Sequence, residues 1–154
     1  MVKIIDGDLL DSKTDIIAHQ VNCRGAFNSG VAKAIKDYDI GVYRDYKGYC
    51  VEKTPNQLLG TVRYFDSNYD GRTYANLFAQ SSYGYDGRQY TDIKALRKCF
   101  EDLRQYSIIH ENLSIAMPYK IGCVRGGADW TEVYSIIEEV FKDCNVELWR
   151  LDRG

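Results

Sequence analysis

Two stretches of this chain combine residues able to do chemistry with glycines that expose backbone amides. "HQVNCRGAFNSGVAKAI" runs from His19 to Ile35, and "MPYKIGCVRGGADW" runs from Met117 to Trp130. In each, an apolar run gives way to a loop of small residues and then to helical periodicity. A helix N-terminus presents unpaired N–H groups and about half a positive charge. Glycines just before it let the oxygens of an anion approach the backbone closely. Two such junctions facing each other where sheet strands end clasp an elongated anion, a diphosphate above all, without a metal. Neither loop is a P-loop, because no Gly-Lys-Ser/Thr follows, and neither is the G-x-G-x-x-G dinucleotide fingerprint.

The side chains near these loops have two readings each. His19 sits in an apolar strand three residues before Asn22. An imidazole with an ordinary pKa of ~6.5 serves as nucleophile or general acid/base; the alternative is a core histidine. Asp129 either activates water or caps the helix that starts at Trp130, with Glu132 completing a capping box. Arg125 is a bidentate partner for a terminal phosphate or a surface cation. Ser81 and Ser82 offer hydrogen bonds to phosphate but have no activating neighbour in the sequence. Trp130 reads as a core anchor, and His110 as a solvated histidine at a helix end. Tyr83, Tyr85 and Tyr90 flank the loop-like tract GYDGRQ (84–89), which is placed to lie over a ligand.

The elements that must position these residues follow from hydrophobic periodicity. Strand patterns occupy 2–6, 14–21, 59–65, 73–80, 113–118 and 146–151. Helical patterns occupy 29–38, 41–50, 90–106 and 130–143, with Thr91-Asp92 as a cap for the third. Asp70-Gly71 marks a hairpin between the third and fourth strands. The order, βα, a hairpin, then αβαβ, predicts an α/β fold: a mixed sheet between two layers of helices, formed as one domain over 1–154.

Composition narrows the partners. The net charge of −2 implies no broad basic face for nucleic acid or anionic lipid, so a bound phosphate must be held locally. The N-terminus has no signal-peptide pattern, and no apolar run approaches the ~18 residues of a membrane span. The cytoplasm is the expected location. The cysteines are Cys23, Cys50, Cys99, Cys123 and Cys144. They form no C-x-x-C and no metal-ligand spacing, which predicts reduced thiols and neither metal nor cofactor.

Gly7-Asp8-Leu9, "IIAHQVNC…SGVAKAI" (16–35) and "AMPYKIGCVRGGADW" (116–130), in that order and spacing, resemble the macro domain family across essentially the whole chain. The histidine of "AHQVNC" and the run "LFAQSSYG" (77–84) resemble the branch of ADP-ribose 1''-phosphate phosphatases and small phage or bacterial relatives. The resemblance implies a three-layer α/β/α fold with ADP-ribose in a cleft along the top of the sheet. It implies that Asp8 accepts a hydrogen bond from the adenine amino group and that Leu9 packs on the base. Asn22 would contact the distal ribose. Ser29, Gly30, Val31 and Ala32 would form the first diphosphate loop, and Gly122, Cys123, Val124, Arg125, Gly126 and Gly127 the second. It also places a catalytic histidine at His19. The chain departs from the family in three places. It has His19 where many hydrolytic members have asparagine. It lacks the lysine near Gln80 and the acid near Gly126 that another branch uses to release ADP-ribose from glutamate. Its first loop reads Phe27-Asn28-Ser29-Gly30 instead of three glycines. Three activities share such a cleft: a phosphatase acting on ADP-ribose 1''-phosphate, a binding module for ADP-ribose, and a hydrolase releasing ADP-ribose from a modified acceptor.

Overall fold

Strand β2 (Ile16–Asn22) is apolar on both faces, which a strand can be only when helices cover both sides of its sheet. Ile16 and Ala18 point into one core, and Ile17 and Val21 into the other. The computed structural model describes residues 1–28 and 30–151. Ser29, expected in the first diphosphate loop, lies outside the described residues.

Around β2 the sheet runs β1 (Val2–Asp6), β6 (Val146–Arg150), β5 (Ile115–Pro118), β2, β4 (Thr73–Gln80), β3 (Val62–Asp66). All neighbours are parallel except β3 and β4, so the sheet is mixed. Helices α1 (Gly30–Tyr38), α2 (Ile40–Val51) and the short α3 (Pro55–Leu58) cover one face; α4 (Ile93–Ile109) and α5 (Trp130–Val140) cover the other. The stripe Ala95, Leu96, Cys99, Phe100, Leu103 on α4 is buried against β4, as its spacing requires. The expected α/β architecture is therefore the observed one.

Boundaries shift where a turn competes with a strand. The third strand starts at Val62, not at Leu59, because Thr54, Pro55 and Gln57 form a full capping box and wind the segment before it into α3. A 3₁₀ turn (Leu9–Asp11) follows β1, with the Asp8 carboxylate accepting from Leu10 N–H at 3.0 Å. The hairpin turn is as predicted. There Asp70 accepts from the Arg72 backbone (2.9 Å), and the Arg72 guanidinium donates to Leu10 O (3.1 Å) and Ser12 O (2.9 Å). That arginine fastens the hairpin to the segment holding Asp8 and Leu9.

The two helix caps behave differently. Asp92 accepts from Ala95 N–H at 3.0 Å and caps α4. Asp129 has the extended backbone of an N-cap, but its side chain makes no capping bond. The expected box with Glu132 is not formed, because the carboxylate stays exposed to solvent instead of folding back on the helix. The Asp92→Ala variant should lose about 1 kcal/mol of stability, or roughly 2–4 °C in Tm, whereas Asp129→Ala should cost far less; thermal denaturation of the two variants side by side checks this.

Candidate functional site

Two cavities open at the C-terminal ends of β2 and β5 and share a wall made by Gly30, Val31 and Pro118. The larger, about 370 Å³, is bounded by both glycine loops; the smaller, about 350 Å³, lies between the 3₁₀ turn, α1 and Trp149. Together they form one elongated cleft, polarised in charge. Among the described residues, the larger cavity is lined by two cations, Lys120 and Arg125, and by no carboxylate. The smaller has one charged lining residue, Asp8, beside the apolar Leu9, Trp149 and Leu151.

The first loop is held from behind by α2. The Tyr46 hydroxyl, fully buried, lies 2.7 Å from Asn22 O and 3.0 Å from Asn22 Oδ1, and it accepts from Gly25 N–H at 3.2 Å. Asn22 Oδ1 also accepts from Arg24 N–H (2.9 Å), and Nδ2 donates to Ala26 O (2.9 Å). A carboxamide carries two N–H donors, so the Asn22 side chain, which lines the larger cavity, keeps one for a ligand.

The second loop is held by the side chain of Gln20. Its Nε2 donates to Gln80 Oε1 (2.8 Å) and to Thr91 Oγ1 (2.7 Å), and the Thr91 hydroxyl donates to Gly122 O (2.7 Å). Gly126 is forced by this packing, since a Cβ there would lie 2.0 Å from Thr91 Oγ1 and 2.5 Å from Gly122 O. Across the mouth, the Arg125 guanidinium stands 4.6 Å from the Tyr85 ring centroid. Tyr83, Tyr85 and Val124 are exposed at this rim.

Most of the residues picked from the sequence meet in this cleft. Asp8 and Leu9 line the smaller cavity; His19, Asn22, Ala32, Gly122, Val124, Arg125 and Gly126 line the larger; Gly30 and Val31 line both. Ser81, Cys123, Gly127 and Asp129 are not among the described lining residues. Cys123 N–H is committed to Lys120 O (2.9 Å), and burial pushes the Cys123 thiol up to about 11. Gly127 turns toward Arg88, and Ser81 gives its carbonyl to Cys23 N–H. Trp130 is half-buried between the rings of Tyr119 and Tyr134. Sequence reading missed Gln20, Gln80 and Lys120. The glutamines carry no spacing signal, because they meet only through strand pairing, and Lys120 precedes the glycines that drew attention. Among the described residues no group of His, Cys, Asp or Glu is placed to hold a metal ion, and no helix is long and apolar enough to cross a membrane.

No family model matches the chain. Among curated proteins it is similar to the ADP-ribose 1''-phosphate phosphatases of Scheffersomyces stipitis (36% identity over 69 residues, 40% of this chain and 40% of the relative) and Debaryomyces hansenii (36% over 70 residues, 40% and 39%). The chain thus spans about two fifths of the length of the curated relatives it matches. Among solved structures it is similar to the macrodomain of Mycobacterium tuberculosis DarG, with a TM-score of 0.81 at 23% identity, covering 99% of this chain and 98% of that one. The chain has the macrodomain fold. It also aligns with Thermosipho africanus DarTG in complex with ADP-ribose, with a TM-score of 0.81 at 17% identity, over 99% of this chain and 42% of that one.

Within this fold His19 lies on the floor of the larger cavity and is 1% exposed. Strand pairing sets it opposite Asn76, and Nε2 lies 2.6 Å from Asn76 Oδ1. The Phe27 ring meets the imidazole edge-on, with centroids 5.3 Å apart. Nδ1 and Asn76 Nδ2 are buried without hydrogen-bond partners. The contact to Asn76 Oδ1 fits a neutral ring protonated at Nε2, with its lone pair on Nδ1. Burial pulls the pKa down to about 4, against the smaller raising effect of the Asn76 bond. The unfolded chain, with a histidine pKa of ~6.5, therefore binds more protons than the folded one between these two values. Stability from this site is full above pH ~6.5 and falls as the pH drops through 4, by a total on the order of 3 kcal/mol. Urea denaturation of wild type and His19→Asn between pH 7 and pH 5 should show a steeper loss in the wild type; parallel curves would contradict the buried, neutral imidazole.

Proposed function

We propose that this macrodomain binds ADP-ribose and removes the terminal phosphate of ADP-ribose 1''-phosphate. The observation that carries the reading is the polarity of the cleft, a carboxylate and apolar surface at one end and two cations without a carboxylate at the other. An aminopurine suits the first end: its N–H donates to Asp8 and its face packs on Leu9. A diphosphate suits the middle, between Gly30–Ala32 and the Gly122–Gly126 loop. The distal ribose then reaches the remaining N–H of Asn22, and its terminal phosphate points toward His19. The matching relatives named ADP-ribose 1''-phosphate phosphatases and the neighbour solved with ADP-ribose support the same assignment.

The reaction is hydrolysis of a phosphomonoester. A water oxygen bonds to phosphorus, the bond from phosphorus to the ribose oxygen breaks, and the proton lost by the water goes to the leaving oxygen. A neutral His19 with its lone pair on Nδ1 is suited to relay that proton or to orient the water, and its burial makes it a poor nucleophile. Asp129, away from the cleft lining, takes no part in this scheme. The domain acts as a single unit in the cytoplasm, where its five cysteines stay reduced, and an ADP-ribosylated acceptor is a further possible ligand. The burial of His19 favours a second reading, a module that binds ADP-ribose without turning it over.

Saturating ADP-ribose at about a hundredfold excess over Kd should stabilise the fold by roughly 2.7 kcal/mol, with or without EDTA, or about 5–10 °C in Tm. An unmoved melting curve would remove the central claim. Asp8→Ala should weaken ADP-ribose about ten- to a hundredfold in a calorimetric titration. Phosphate release from ADP-ribose 1''-phosphate separates the two readings: His19→Ala should lower the rate by ~10²–10⁴-fold if the imidazole moves a proton, with ADP-ribose affinity nearly unchanged. A wild type that releases no phosphate establishes the binding module instead.

A further inference from the structure

The turn leaving β5 has a lysine where a glycine would be easier to accommodate. Ile121 N–H donates to Pro118 O at 3.1 Å, and Lys120, the third residue of that turn, has φ +63°. Left-handed backbone at this position favours glycine or asparagine, because a Cβ crowds the neighbouring carbonyl. Lys120 O accepts from Cys123 N–H at 2.9 Å and joins this turn to the next, so the conformation is fixed from both sides. The lysine thus takes a strained backbone position, and it lines the larger cavity.

Its surroundings give the cation no competing task. Among the described residues Lys120 makes no ion pair and no ring contact. The other cation of the cavity, Arg125, is drawn to the face of Tyr85 at the rim. No carboxylate is among the described residues lining this cavity, so Lys120 and Arg125 set the sign of its charge.

We propose that Lys120 is the charge-selecting residue of the cleft: its ammonium engages the phosphate oxygens of the ligand, and the left-handed turn presents it to them. This rests on the ADP-ribose reading for the identity of the ligand but not for its chemical class, a molecule with two linked phosphates. The ammonium is a point charge on a flexible stem, so it serves a diphosphate without imposing one oxygen geometry. It adds long-range attraction to the directional amides of the loops.

The test is calorimetric titration of wild type, Lys120→Gly and Lys120→Gln with adenosine, ADP, ADP-ribose and inorganic pyrophosphate, at low and high salt, alongside thermal denaturation. Lys120→Gly should keep or raise Tm, by about 1–3 °C, because glycine relieves the turn. Both variants should bind ADP, ADP-ribose and pyrophosphate roughly 5–30-fold more weakly, adenosine should be unaffected, and high salt should narrow the gap. If both variants keep wild-type affinity for the three anions, Lys120 is a turn residue only and the inference is overturned, while the ADP-ribose reading stands. If the wild type binds pyrophosphate and ADP in a Lys120-dependent way but not ADP-ribose, the role of Lys120 stands and the proposed function falls. If the wild type binds none of them, both fall.

Discussion

The side-chain amide of Gln20 is the contact on which the ligand face depends. Its two N–H groups reach strand β4 through Gln80 and the second loop through Thr91, whose hydroxyl then fixes Gly122 O. A glycine-rich loop has no side chains of its own to hold it in shape, and its freedom is costly to freeze. Here the order is imposed from the strand beneath. The close approach at Gly126 is the consequence, since the bonded hydroxyl of Thr91 stands where a methyl group would have to be. On the other side of the cleft Tyr46 and Asn22 do the same for the first loop, through a fully buried hydroxyl. The two loops face each other because both are tied to the end of β2.

This arrangement separates the work of the two sheet faces. Gln20 belongs to the α4/α5 side and controls the second loop. His19, one residue earlier, belongs to the α1/α2 side, under Phe27 and opposite Asn76. The same alternation that buries β2 on both sides places the imidazole in a dry environment, where the neutral form is favoured. A neutral ring keeps a lone pair for proton relay, but burial restricts what reaches it. The tension between these two effects is what divides a phosphatase from a binding module on one scaffold.

Electrostatics does for ligand orientation what shape alone does not. Asp8 lines one cavity and the cations Lys120 and Arg125 line the other. A ligand with phosphates against Asp8 would bury like charges together. On a chain with a net charge of −2, the positive charge of the larger cavity comes from local placement and not from overall basicity.

The sequence by itself determined the order of elements, the mixed sheet between helices, the hairpin at Asp70-Gly71 and the two loops as partners, because period-2 and period-3.6 patterns and turn glycines are local signals. The glycines of both loops were legible for the same reason, lying at strand–loop–helix junctions, whereas Asp8 and Asn22 stood out only through the family resemblance. The capping box that makes α3 was equally local, in Thr54, Pro55 and Gln57, but a short helix has too little periodicity to compete with a neighbouring strand pattern. Only the tertiary structure decided the rest. Whether Asp129 folds back on its helix, whether His19 is wet or dry, and whether Lys120 lines the cavity depend on residues brought from distant positions: Asn76 and Phe27 around His19, and Thr91, Gln80 and Gln20 behind the second loop. Burial and hydrogen-bond partnership are properties of packing across the sheet, and a linear pattern carries no record of which strands will lie side by side.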